Sequence, residues 1–348
     1  MITPITSRMA RRYGILDHPR LHDDSHKRHT TSTPYLGGMA ILLGLGLGCV
    51  LLFAPKSGSD TALTRLAIIV AAGGALALVG LVDDVRSLPR VLRLVVQVGA
   101  GTAAWTADFR VQATGNTYVD FAITLLWIVG ITNAFNLLDN MDGLSAGLAA
   151  VSALSFTVLG LLAQLPEVTL VAGALSGACL GFLVHNRHPA TVFMGDSGSL
   201  LIGFLLALLG IKLRFDNLVE VTFLVPVVVL GVPIFDTTLV VLSRLRHRRP
   251  LFLGGRDHVS HRLERTGLPV TTAVGVLYGA GLGLGWLGVV ISRATVEIGW
   301  MLLGLVIVVG MFCGALLWKV PVYGEPESPF GEGQGDAAPG ETPIIRTG

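Results

Sequence analysis

Asn133-Ala134-Phe135-Asn136-Leu137-Leu138-Asp139-Asn140-Met141-Asp142-Gly143 stands between two apolar runs, near 119–135 and 144–165. An apolar run of roughly 20 residues can cross a bilayer as a helix, so the flanking blocks read as consecutive membrane spans. A plain inter-helix turn would also be polar and end in Gly. Two Asn and two Asp between positions 136 and 142 exceed what a turn needs. Asn136, Asp139 and Asp142 are three apart, so a helical turn brings them toward one face. Such an oxygen-rich loop suits a hard cation or sugar hydroxyls. Asp83, Asp84 and Asp196 also lie in or beside apolar segments. A carboxylate near hydrocarbon is costly without a metal, a cation or a water-filled cleft.

The rest of the chain fits a membrane protein. It is 52% hydrophobic and 14% charged, whereas soluble domains carry about 25% charged residues. Ten spans are predicted, near 36–54, 66–82, 91–107, 119–135, 144–165, 168–184, 198–211, 221–242, 270–291 and 298–318. The shortest, 198–211, is open to being a broken or tilted helix. With ten spans, one set of loops holds 19 Lys and Arg and the other holds 6. That asymmetry predicts cytoplasmic termini and puts all five acids on the cytoplasmic side. The expected class is therefore an all-α polytopic integral membrane protein with cytoplasmic site-bearing loops. Residues 1–35 read as a basic cytoplasmic segment, 36–320 as the transmembrane domain and 321–348 as a disordered tail rich in Gly, Pro and Glu. Cys49, Cys179 and Cys313 lie in separate apolar blocks and read as small core residues. The first thirty residues are too polar for a signal-peptide core.

Four further stretches share the predicted cytoplasmic face. Gly80-Leu81-Val82-Asp83-Asp84 closes the second span, and a cation would relieve the repulsion between its paired carboxylates. A solvated helix end salt-bridged to nearby arginines accounts for it equally well. His185 to Ser199 contains Asn186 and Phe193-Met194-Gly195-Asp196. Asp196 suits an N-cap, and a helix N-terminus also favours phosphates. Phe193 suits stacking on a flat base or anchoring at the interface. The longest basic loop, Arg244 to Arg265, carries Asp257-His258-Val259-Ser260-His261-Arg262-Leu263. Its arginines serve topology, whereas its histidines suit a metal or a diphosphate. Asp236, at the end of the eighth span, is placed to join them. Near the start, His26-Lys27-Arg28-His29 is a phosphate contact or an attraction to anionic lipid.

Together, Lys27 to His29 through Pro34 and Gly37-Gly38, Gly80 to Asp84, Asn133 to Gly147, Asn186 to Gly203, and Asp257 to Leu263 resemble the polyprenyl-phosphate N-acetylhexosamine-1-phosphate transferases, glycosyltransferase family 4. The resemblance runs from about residue 14 to 320, in order. It implies a membrane enzyme dependent on Mg²⁺, with Mn²⁺ as an alternative ion. Its partners would be a UDP-N-acetylhexosamine, undecaprenyl or decaprenyl phosphate and the lipid bilayer; UMP would be released, and no nucleic acid is involved. The family starts O-antigen, teichoic acid and peptidoglycan lipid carriers, and homodimers are common in it. By position, the resemblance makes Asp196 a Mg²⁺ ligand and puts Asp83 and Asp84 near the lipid phosphate. Asn136, Asp139 and Asp142 would line the nucleotide and phosphate site. Phe193 would stack on uracil beside Asn186. Lys27, His258, His261 and Arg262 would meet phosphates or sugar.

The chain departs from the family pattern in three places. A span usually precedes the Lys27 loop, so either the start is truncated or ten helices suffice. Asn140 stands where Gly is common, and Ser260 where a third His is common. Lack of that His is compatible with the N-acetylglucosamine branch and argues against the muramoyl-pentapeptide branch. A transporter is the competing class, but its acids would sit near mid-bilayer rather than at one surface. A non-catalytic scaffold would not need the intact set of Asp residues.

Overall fold

Punctuation in the sequence sets where each helix starts and stops. In the computed structural model, which describes residues 2–17, 33–53, 60–213, 224–251 and 255–323, helix α1 is Thr3–Tyr13. It lies within the basic segment 1–35; Pro4 sits in its first turn and Gly14 closes it at φ 69°. Strands β1 (Leu16–Asp17) and β2 (Thr33–Pro34) pair antiparallel, Leu16 with Pro34 and Asp17 with Thr33. Lys27, Arg28 and His29 lie between them, outside the described residues, as does the tail from 324.

The apolar blocks follow as α2 (Gly37–Phe53), α3 (Asp60–Val85), α4 (Arg90–Thr106), α5 (Thr117–Leu138), α6 (Leu144–Leu162), α7 (Pro166–Asn186) and α8 (Gly195–Lys212). Asn116 caps α5, its side-chain oxygen accepting from the amides of Tyr118 and Val119 at 3.0 and 3.3 Å. Pro166 opens α7, where a missing N–H costs nothing. The eighth expected span is two helices, α9 (Val225–Val229) and α10 (Gly231–Arg246). Pro226, Gly231 and Pro233 lie close together there, and Pro removes hydrogen-bond donors. The broken helix is thus this one, whereas the short 198–211 run is continuous within α8. Short α11 (Val259–Arg265), α12 (Val270–Ile291) and α13 (Val296–Trp318) complete the bundle.

Each predicted span overlaps a helix, the eighth in two pieces, with ends that differ by a few residues. Among the described residues, seven helices, α3, α5, α6, α7, α8, α12 and α13, are long and apolar enough to cross a membrane. The chain is an all-α, multi-pass membrane protein. Helix α8 is the axis: 89% of its apolar window is buried, against 6% for α13. Trp300, Leu305, Val308 and Phe312 on α13 face outward, as lipid contact requires. Around α8 pack α2, α3 and α5. Gly38 of α2 and Gly198 of α8 permit the closest crossing, since a Cβ on Gly38 would lie 2.2 Å from the Gly198 nitrogen. Trp127 of α5 donates to the Ala207 carbonyl of α8 at 3.0 Å, and Ser176 of α7 to the Ala150 carbonyl of α6 at 3.0 Å.

Candidate active site

One end of the bundle gathers the acids. Asp83 lies in the last turn of α3 and Arg93 in the first turn of α4. The short turn between them brings one guanidinium nitrogen, Nη1, to 2.7 Å from Asp83 and 2.6 Å from Asp196 at the start of α8. Asp83 also accepts from the Leu88 amide at 2.6 Å. Asn136, in the last turn of α5, donates its amide to Asp196 at 2.9 Å and to the Ser199 hydroxyl at 3.0 Å. Asp84 caps α8 from a different helix, accepting from the amides of Asp196 and Ser197 at 2.8 and 3.3 Å. Two glycines make this approach feasible. A Cβ on Gly80 would lie 2.4 Å from the Ser197 nitrogen, and one on Gly195, at φ 72°, 2.4 Å from an Asp84 oxygen.

Asp139 follows the end of α5. Burial, then the charges of Asp196, Asp84 and Asp142, hold its carboxyl well above the usual carboxylate range. Asp142 points elsewhere. It accepts from the Ala190 amide at 3.0 Å and lies 2.8 Å from His188 Nδ1. The turn is closed by Gly143 at φ 78°, whose amide donates to Asn186 at 3.1 Å and whose carbonyl accepts from Tyr278 at 2.6 Å. A cleft of about 840 Å³ opens beside Asp142, His188 and Tyr278, with Leu183 and Val274 in its apolar wall. It does not reach Asp83, Asp84, Asp139 or Asp196.

The basic loop forms a second layer. His258 Nδ1 lies 2.7 Å from Asp236 of α10, and the Val259 amide donates to the same carboxylate at 2.7 Å. Arg244 grips Asp257 with two bonds, 2.7 and 2.8 Å, and Tyr323 adds a third at 2.7 Å. Burial raises the Asp257 carboxyl, but these donors outweigh it and bring it down to about 2. Burial lowers His261 and favours its neutral imidazole, outweighing the opposing contact with Glu264.

The expected residues therefore divide. Asp83, Asp84, Asn136, Asp139 and Asp196 converge. Asn186 is 3% exposed, with its oxygen bound to Gly143 and its amide to the Val192 carbonyl at 3.0 Å, so it staples the site's loops together. Arg262, expected at the substrate, is 1% exposed and donates to the Asp257, Leu317 and Val320 carbonyls and to Ser243. It ties α11 to the end of α13. Phe193 is half-buried beside Tyr35, ring centroids 6.1 Å apart, and the backbone at 193–194 pairs with Pro34, Gly37 and Gly38. Arg93, Ser199 and His188 were not singled out in the sequence. Arg93 looked like one more topology charge beside Arg86 and Arg90, and only the α3–α4 turn selects it.

Among the described residues, no three His, Cys, Asp or Glu side chains are arranged to hold a metal by themselves. The donors present still fit Mg²⁺. That ion takes one or two carboxylates and completes its shell with water and substrate phosphates. Asp83 and Asp196 already share one cation, the Arg93 guanidinium, in a setting of hard oxygen donors.

At the other end of the bundle the acids serve local structure. Asp120 accepts from the amides of Ala113 and Thr114 at 3.2 and 2.9 Å. Asp108 lies 3.6 Å from Arg65 and Arg110 and 3.8 Å from Lys212.

Residues 66–214 match the family described as glycosyl transferase family 4. The chain is 30% identical over 339 residues to a Bacillus subtilis (strain 168) protein named probable undecaprenyl-phosphate N-acetylglucosaminyl 1-phosphate transferase, covering 95% of this chain and 91% of that one. It is 33% identical over 329 residues to the decaprenyl-phosphate N-acetylglucosaminephosphotransferase of Mycobacterium tuberculosis (strain CDC 1551 / Oshkosh), covering 83% and 77%. A phospho-N-acetylmuramoyl-pentapeptide-transferase of Moorella thermoacetica is 36% identical over 267 residues, covering 70% and 79%. With its acid cluster assembled at one end of a multi-pass bundle and its likeness spanning nearly the whole chain, this protein belongs to glycosyl transferase family 4 and is a membrane transferase.

Proposed function

We propose that the protein transfers N-acetylglucosamine 1-phosphate from UDP-N-acetylglucosamine to undecaprenyl or decaprenyl phosphate and releases UMP. The reaction would be the first membrane step of a cell-envelope glycan, at the cytoplasmic face of a bacterial inner membrane. The observation that carries this reading is the convergence of Asp83, Asp84, Asn136 and Asp139 on Asp196, with Arg93 bridging Asp83 and Asp196. Relatives on both sides of the prenyl-length divide carry N-acetylglucosamine in their names. The 19-to-6 bias of Lys and Arg between the two sets of loops predicted from the sequence supports the cytoplasmic orientation.

Phosphoryl transfer needs positioning and neutralised charge more than covalent help. An oxygen of the prenyl phosphate attacks the sugar-linked phosphorus, and the bond from that phosphorus to the UMP oxygen breaks. A phosphate monoester has a second pKa near ~6, so the nucleophile is ionised without a strong base. This favours single displacement over an aspartyl intermediate. Bound Mg²⁺, held by Asp196 and Asp83, would supply charge stabilisation at the diphosphate. Arg93 keeps those two carboxylates together and adds a positive charge where two phosphates must meet. Asp84 holds the start of α8 in place, and Asn136 orients Asp196. Phe193 offers a ring face at the loop where uracil would stack.

The test is UMP release from purified protein given a panel of UDP-sugars and a polyprenyl phosphate, with Mg²⁺ or with EDTA. Release only with lipid acceptor and divalent ion is expected. No release with any donor would sink the reading. Turnover of UDP-N-acetylmuramoyl-pentapeptide alone would transfer the protein to the branch of its Moorella relative.

A further inference from the structure

Two chemistry-bearing segments, the α5–α6 turn and helix α11, come from distant parts of the chain and are joined by a hydrogen bond between one residue of each. Ser260, between His258 and His261, donates its hydroxyl to the Asn140 side-chain oxygen at 2.7 Å. Asn140, between Asp139 and Asp142, donates its amide to the Leu137 carbonyl at 2.9 Å. The Asn140 carboxamide thus bridges the C-terminal end of α5 to α11. Ser260 is 0% exposed, so the Asn140 oxygen is the acceptor its hydroxyl uses in place of water.

Each segment is anchored on its far side. Asp236 holds the start of α11 through His258 and Val259, and Arg262 holds it to the end of α13. Asn186 and Tyr278 hold the turn at Gly143. Between two segments anchored on their far sides, this part-buried hydrogen bond fixes the register. Asn140 and Ser260 are also two positions at which the chain departs from the pattern of the family it resembles. A Gly at 140 has no carboxamide for Ser260 to meet, and a His at 260 has no hydroxyl to offer Asn140.

We propose that Asn140 and Ser260 are a matched positioning pair that sets the imidazole-bearing helix against the Asp139–Asp142 turn, and so governs how the sugar-phosphate end of the donor is held. This rests on the transferase reading above. Neither residue touches the reacting atoms in the proposal; both act through their neighbours.

The experiment is a double-mutant cycle with Asn140→Ala, Ser260→Ala and the double variant, plus the exchange Asn140→Gly/Ser260→His. UMP release is measured against UDP-sugar concentration, and thermal unfolding is followed on the same samples. Each single change is expected to lower kcat/KM roughly five- to tenfold, the scale of one buried hydrogen bond, with most of the loss in KM. The double variant should lose no more than either single. The exchanged pair should outperform Asn140→Gly and Ser260→His taken singly, with an altered preference among UDP-sugars. Losses that multiply in the double variant would overturn the pairing. Melting shifts with unchanged KM would reduce the pair to a structural contact and overturn the positioning role. Wild-type protein inactive on every donor would instead bring down the transferase reading, and this role with it.

Discussion

Removing Arg93 tests the charge balance of the site most directly. Its Nη1 lies 2.7 Å from Asp83 and 2.6 Å from Asp196, and the three side chains are 23%, 13% and 28% exposed. With charge centres about 4 Å apart and an effective dielectric near 20, each attraction is about 4 kcal/mol before desolvation is subtracted. Fully exposed pairs contribute below about 1 kcal/mol net, and truncating a fully buried one costs about 3–5. These partial exposures put Arg93→Ala near 2–4 kcal/mol, a fall in melting temperature of about 3–8 °C for a chain this long. The loss should be largest in EDTA, where no cation stands between the two freed carboxylates. It should shrink with added Mg²⁺, which replaces the missing cation. Arg93→Lys should recover most of the stability, because both contacts come from a single nitrogen that an ammonium can mimic. Tryptophan fluorescence during heating of detergent-solubilised protein reads the stability, and UMP release reads the function. An Arg93→Ala protein that melts like wild type in EDTA and still turns over normally would refute the argument.

Other outcomes follow from the same geometry. Asp196→Ala should abolish UMP release while leaving folded protein in the membrane, and near-normal turnover would count against the assigned role. Asp139 has a folded-state pKa raised above its unfolded value, so the folded form binds the extra proton and stability falls as pH rises through that interval. Asp139→Asn should therefore melt higher than wild type at neutral pH in EDTA yet lose activity; a lower melting point would contradict the burial argument. Asp257 is the opposite case: lowered to about 2, it stabilises above the ordinary carboxylate range, and that stability disappears as pH falls through about 2. Asp257→Asn leaves Arg244 buried without its charge partner, at about 3–5 kcal/mol, and an unchanged melting curve would show the pair to be dispensable. Phe193→Ala should raise KM for the UDP-sugar; if KM stays put, the ring does not stack on the base.

Hydrophobic blocks are long-range statistics, and they survive without knowledge of packing. The helices, their order and the gathering of acids toward one end were therefore legible from apolar runs and from the placement of Lys and Arg. So was the need of Asp83 and Asp196 for a partner, because a carboxylate beside hydrocarbon is expensive wherever its neighbours turn out to be. Partnership was not legible, since it depends on which side chains meet across distant segments. Only the packed bundle selects Arg93 from its neighbouring arginines, turns Asp84 onto the start of α8 and directs Asp142 toward His188. It also withdraws Asn186 and Arg262 into structural bonds and sets Ser260 against Asn140. Composition and periodicity are properties of one stretch of chain. A hydrogen bond between residues 120 positions apart is a property of the crossing angles and close approaches that small residues such as Gly38, Gly80 and Gly198 allow.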